Sequence, residues 1–138
     1  MAVTKQRASW FSLLLAGLAS LFASILCVFG VVTGYAFVLA FQARGAPDTQ
    51  AIRSFANQSA PLLSAILLPL FALGFGFLVR RRKPESPLWY GPVIGFIAAL
   101  PSLIVAGQLD LLALLSLAVT IAAGFLGTVL AARTALAR

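Results

Sequence analysis

Four apolar runs, at roughly 10–41, 60–79, 88–107 and 109–132, follow one another with only short connections between them. A hydrocarbon layer of about 30 Å is crossed by about 20 helical residues, so each run is long enough to do it. Lipid offers no water to backbone N–H and C=O groups, and a segment of this length must therefore satisfy them within its own helix. The expected fold is all-α: an integral membrane protein with four transmembrane helices in a compact bundle, built as a single domain over 1–138. Composition requires the same class. The chain is 62% hydrophobic and 9% charged over 138 residues, whereas a soluble domain is about 45–50% apolar and about 25% charged. A chain this small has too much surface to hide the excess in a core.

The first run exceeds what a bilayer needs. As one unbroken helix, residues 9–41 would be about 50 Å long, so it must tilt, break near Gly30 or Gly34, or project beyond the membrane; projection past Gly34 is the expectation. Lys5 and Arg7 resemble the start of a signal peptide, but the apolar run continues far beyond such a segment. The stretch "SILC" also places leucine before Cys27, where a lipoprotein signal wants a small residue. The run is therefore read as a true span. Cys27 is the only cysteine and forms no intramolecular disulfide.

Charge sets the expected orientation. The net charge of +7 would suggest nucleic acid in a soluble protein, but the basic residues here collect at the ends of the spans, and no folded surface interleaves them with aromatic rings. With the N-terminus in the cytoplasm, the inside segments carry Lys5, Arg7, Arg80, Arg81, Arg82, Lys83, Arg133 and Arg138. The outside segments then carry only Arg44 and Arg53. A bias this strong in short loops predicts an N-in/C-in topology. The run Arg80, Arg81, Arg82 and Lys83 is thus a topology determinant, with a second role in holding anionic lipid headgroups at the cytoplasmic face. Trp10, Trp89 and Tyr90 fall where a headgroup aromatic belt is expected. Arginine outnumbers lysine eight to two and alanine and leucine are abundant, which points to a GC-rich bacterium and hence to its inner membrane.

Between the first two spans, Asp48 is placed to cap a short amphipathic helix with Ala51, Ile52, Phe55 and Ala56 on one side, lying in the interface before Pro61 opens the second span. In the last connection, Gly107 is expected to end the third helix and Asp110 to begin the fourth.

Chemistry is sparse. Beyond Asp110 at its mouth, no Asp, Glu, Lys, Arg or His lies in the four runs. Proton relays, coupled transport and intramembrane hydrolysis need ionisable groups at depth. Without histidine, and with one cysteine, metal and haem ligation have no donor set; a serine such as Ser64 or Ser102 has no base. The glycine-rich "GFGF" at 74–77 lacks the lysine and strand of a phosphate loop. The chain is accordingly expected not to be an enzyme and to carry no cofactor, catalytic residue or metal site.

Small residues at helical spacing are plentiful. Ala16, Ser20, Ser24, Cys27, Gly30 and Gly34 form one face of the first span. Gly91, Gly95, Ala99, Ser102 and Ala106 mark the third, opening with the GxxxG pattern "GPVIG". Ala113, Thr120, Gly124, Gly127 and Ala131 mark the fourth, and Ala65, Ala72 and Gly76 a sparser second. Such stripes let helix backbones approach closely in lipid, within the bundle or against a partner subunit. Pro69 and Pro101 lie mid-span as shape features. By this reading the protein is a non-catalytic accessory, assembly or scaffolding subunit of a larger membrane complex, in contact with other membrane subunits or with itself and with no nucleic acid. The alternative is a small oligomeric transporter or lipid-handling protein.

Overall fold

The computed structural model describes the backbone of residues 2–44, 48–106 and 111–136 and the side chains of 10–44, 48–101, 104 and 111–135. Among the described residues there are four helices and no strand: α1 (Ala2–Gln42), α2 (Thr49–Arg82), α3 (Tyr90–Ala106) and α4 (Leu111–Leu136). Three of them, α1, α2 and α4, are long and apolar enough to cross a membrane. The fourth, α3, has 17 residues, about 26 Å of helix, and is short for that task. The expected turn at Gly107 and Asp110 lies outside the described residues.

The start of the second helix differs from expectation, and the course of the first does not. The first helix does not break at Gly30 or Gly34 but continues to Gln42, ending with Arg44 in the left-handed conformation at φ 50°, a common way to close a helix. The second does not begin at Pro61. The carboxylate of Asp48 accepts from Gln50 N at 2.8 Å and Ala51 N at 3.3 Å, and the helix then runs without interruption through Pro61 and Pro69 to Arg82. Pro61 removes the hydrogen bond to the carbonyl of residue 57 and its ring crowds that carbonyl. Pro61 and Asn57 both lie on an exposed side, so the released carbonyl can be solvated and the helix continues. The amphipathic segment and the span have merged: Ala51, Ile52, Phe55 and Ala56 are half-buried while Arg53, Ser54, Asn57 and Gln58 are exposed.

The helices form a rhombus. The central pair, α2 and α3, touch each other, and α1 and α4 each pack on both of them from opposite corners. No contact joins α1 to α4 among the described residues. The interior is lined mainly by small residues. Leu13 and Ile94 are the largest of the fully buried side chains, and they pack with Ala16; a second cluster joins Leu68 to Ala98 and Ala99. Phe11, Phe22, Leu26, Phe29, Ile104, Leu111 and Leu112 point outward. Large outside and small inside is the arrangement suited to lipid as surrounding solvent, where close backbone packing rather than hydrophobicity holds helices together.

Candidate functional site

At one end of the bundle lie the start of α1, the end of α2, the start of α3 and the end of α4. The basic run ends α2, with Arg80, Arg81 and Arg82 in its last turn and Lys83 as its C-cap; Arg133 occupies the last turn of α4. The α2–α3 connection is tightened by Ser86, whose N–H and hydroxyl both donate to the Lys83 carbonyl, at 2.9 and 2.7 Å. Beside it the rings of Trp10 and Trp89 lie 5.5 Å apart, and Tyr90 meets Trp89 edge-on at 4.6 Å. Three aromatic residues separated by up to 80 positions in the chain thus form one cluster at the level of the basic run.

The small residues divide into two groups. A Cβ placed on Gly95 would lie 2.5 Å from the carbonyl oxygen of Thr120, and one on Gly76 would lie 2.7 Å from that of Gly124. Gly91 and Gly124 oppose each other in the same way, and Gly127 abuts the Leu73 carbonyl. On α1, Ala16, Ser20 and Ser24 are buried. Farther along the same stripe Cys27 is exposed, and a Cβ on Gly30 or Gly34 would meet nothing within 4 Å. The side chains of Ser102 and Ala106 lie outside the described residues. The sequence reading missed Gly17, whose added Cβ would strike the Ile97 side chain at 2.6 Å. It sits next to Ala16 on a neighbouring face, and a search restricted to one i, i+4 stripe passes over it.

Polar groups at depth are satisfied locally. Ser20 donates to the Ala16 carbonyl at 2.9 Å, Ser64 to that of Pro61 at 3.0 Å and Thr120 to that of Ser116 at 2.7 Å. The single Thr128 hydroxyl proton is shared between the Phe125 carbonyl of its own helix at 2.8 Å and the Leu88 carbonyl of the α2–α3 connection at 3.2 Å. Among the described residues no buried side-chain nitrogen or oxygen lacks a partner, and no three of His, Cys, Asp and Glu come together.

The far end is dominated by α1 and α2. Leu21, Leu68, Ala98 and Leu117 share one level of the bundle. From it α1 runs on to Gln42 and α2 reaches back to Thr49, whereas α3 ends at Ala106 and α4 begins at Leu111. The α1–α2 hairpin therefore extends about thirteen residues, or about 20 Å, past the described ends of the other two. Its helices are joined by the rings of Tyr35 and Phe55, stacked at 3.9 Å, while Phe37 and Phe41 stand 73% and 81% exposed. Just below the overhang is an apolar groove of about 660 Å³, bordered by Ser24, Val28, Pro61, Ser64, Pro101 and Ser116.

Compared with known proteins, the chain matches no family model, no curated protein and no solved structure.

Proposed function

We propose that this protein is a four-span component of a membrane, with both ends on the cytoplasmic side, that serves as a non-catalytic accessory, assembly or scaffolding subunit of a larger membrane complex. The observation that carries the reading is the overhang. If the Trp10–Trp89–Tyr90 cluster marks one headgroup layer, about 30 Å of hydrocarbon ends about 20 residues along α1, near Gly30. Beyond that level Gly34 faces nothing, and Phe37 and Phe41 are exposed. Large rings held on a rigid hairpin outside the hydrocarbon are favourable only when another surface covers them, and uncovered glycines are places where a second backbone can approach. In this proposal α3 is a true but minimal span, tethered at the cytoplasmic side by the Trp89 and Tyr90 belt. The bacterial inner membrane is its location, on the strength of composition alone.

The test is purification in mild detergent, followed by Gly34→Leu and Phe41→Ala. The reading expects the wild-type chain to travel at fixed stoichiometry with a larger membrane complex. Both variants should lose it while keeping their own helicity and melting behaviour. The groove below the overhang, with Pro61 and Pro101 on its walls, is the observation that favours the alternative, a small transporter or lipid-handling protein. A substrate-dependent flux into liposomes containing this chain alone would support that alternative and defeat the subunit reading.

A further inference from the structure

The four basic residues that follow Val79 do not act as one patch. Successive helical residues point about 100° apart, and the run is split between two sides of α2. Arg82 and Lys83 border a groove of about 300 Å³ against α1, whose walls include Leu15, Ala16 and Phe75. Arg80 and Arg81 border a separate cleft of about 670 Å³ against the last turns of α4. That size falls within the range of about 300–1,000 Å³ usual for small-molecule sites. The cleft exists because the α4 wall is built from alanines: Ala131 and Ala132 face Phe77 at its floor, and Arg80, Arg81 and Thr134 stand at its rim.

Its charge is unbalanced. Both α2 and α4 end here, and each helix end carries about half a negative charge. Against that total of about one stand Arg80 and Arg81 at the cleft and Arg133 in the last turn of α4. Of the three acidic residues in the chain, Asp48 caps the far end of α2 and Asp110 precedes α4, leaving only Glu85 near the basic run. The Thr134 hydroxyl already donates to the Ala131 carbonyl at 3.0 Å, so the two guanidinium groups are the donors that the rim offers. An apolar floor under a doubly cationic rim suits a ligand with both characters. Guanidinium groups match phosphate oxygens in geometry as well as charge.

We infer that the α2–α4 cleft is a binding site for an anionic phospholipid, with the headgroup phosphate held by Arg80 and Arg81 and an acyl chain laid along Phe77, Ala131 and Ala132. The inference rests on the chain being embedded in a membrane, as proposed above, and on neither its orientation nor its partner. It distinguishes two residues of the run from the other two, which a diffuse attraction between basic residues and an anionic surface does not.

The experiment places the chain in phosphatidylcholine nanodiscs containing a minor fraction of phosphatidylglycerol and counts co-released lipid by native mass spectrometry. Wild type should retain phosphatidylglycerol above its share of the bilayer. Arg80→Gln with Arg81→Gln should lower that enrichment by about tenfold or more, since each basic side chain near an anionic lipid surface contributes about a factor of five. Arg82→Gln with Lys83→Gln removes the same charge outside the cleft and should lower the enrichment clearly less. Ala132→Phe, which fills the cleft and keeps every charge, should abolish the enrichment. Equal losses in the two double variants would overturn the inference in favour of diffuse attraction, and displacement of the lipid by millimolar inorganic phosphate would overturn it in favour of a free-anion site. A chain that enters nanodiscs yet shows no enrichment sinks this inference alone. One that stays in solution without detergent sinks the membrane reading with it.

Discussion

Gly91 of α3 and Gly124 of α4 face each other backbone to backbone, so that a Cβ on either would fall on the carbonyl oxygen of the other. Gly76 of α2 meets the same Gly124 carbonyl, and three helices therefore converge on one glycine. Neither partner can yield by rotating a side chain, because what stands in the way is backbone.

Gly124→Ala should consequently destabilise the bundle by at least the about 1–3 kcal/mol typical of overpacking, with Gly91→Ala close behind. Gly17→Ala should destabilise as well, since the new methyl meets Cγ2 and Cβ of Ile97, and the Cβ cannot move by a change of rotamer. Gly74→Ala, with nothing within 4 Å of the new methyl, is the control and should not destabilise, with a gain of up to about 1 kcal/mol from the lost backbone freedom of glycine. Thermal unfolding in detergent, followed by circular dichroism, ranks the four; equal midpoints for Gly124→Ala and Gly74→Ala would contradict the packing described.

Thr128 supplies a hydrogen bond that ties α4 to the residue before Trp89. Thr128→Val keeps the shape and removes the donor, and should cost about 0.5–1.5 kcal/mol, the net worth of a typical intramolecular hydrogen bond. Thr128→Ser should recover most of it. Ser64→Ala removes a bond made only within its own helix and should stay within about 0.5 kcal/mol of wild type. The same unfolding measurement decides, and a Thr128→Val chain as stable as wild type would show that the contact contributes nothing.

Orientation is testable without the fold. A reporter active only outside the cytoplasm should be silent when fused after Arg138 and active when inserted near Asp48. Replacing Arg80, Arg81, Arg82 and Lys83 together by glutamine should produce mixed orientations, because the largest block of inside charge is then gone. The reverse reporter pattern in the unaltered chain would invert the proposed topology.

The overhang predicts an accessibility gradient along α1. In a Cys27→Ser background, single cysteines at Phe37 and Phe41 should react rapidly with a membrane-impermeant maleimide, and one at Ser20, which is fully buried, should not. Labelling of Phe41→Cys as slow as that of Ser20→Cys would place the end of α1 inside the bilayer or against a tightly held neighbour.

Hydropathy and charge along the chain were enough for the class and the rough limits of the helices, because the cost of placing a side chain in lipid or water depends on that residue and its near neighbours. Asp48 is legible for the same reason: a cap acts over three residues. Pro61 is where that locality misleads, since a proline inside a long helix need not end it, and α2 runs on through both Pro61 and Pro69. The α1 stripe shows the larger gap. Ala16, Ser20, Ser24, Gly30 and Gly34 look alike in spacing, yet the bundle covers the first three and leaves the last two open. Likewise the basic run reads as one block, and only the lateral placement of α1 and α4 around α2 sends Arg82 and Lys83 to one groove and Arg80 and Arg81 to another. Periodicity defines a face of a helix; what meets that face is set by the lengths and positions of the other helices, which only the tertiary structure decides.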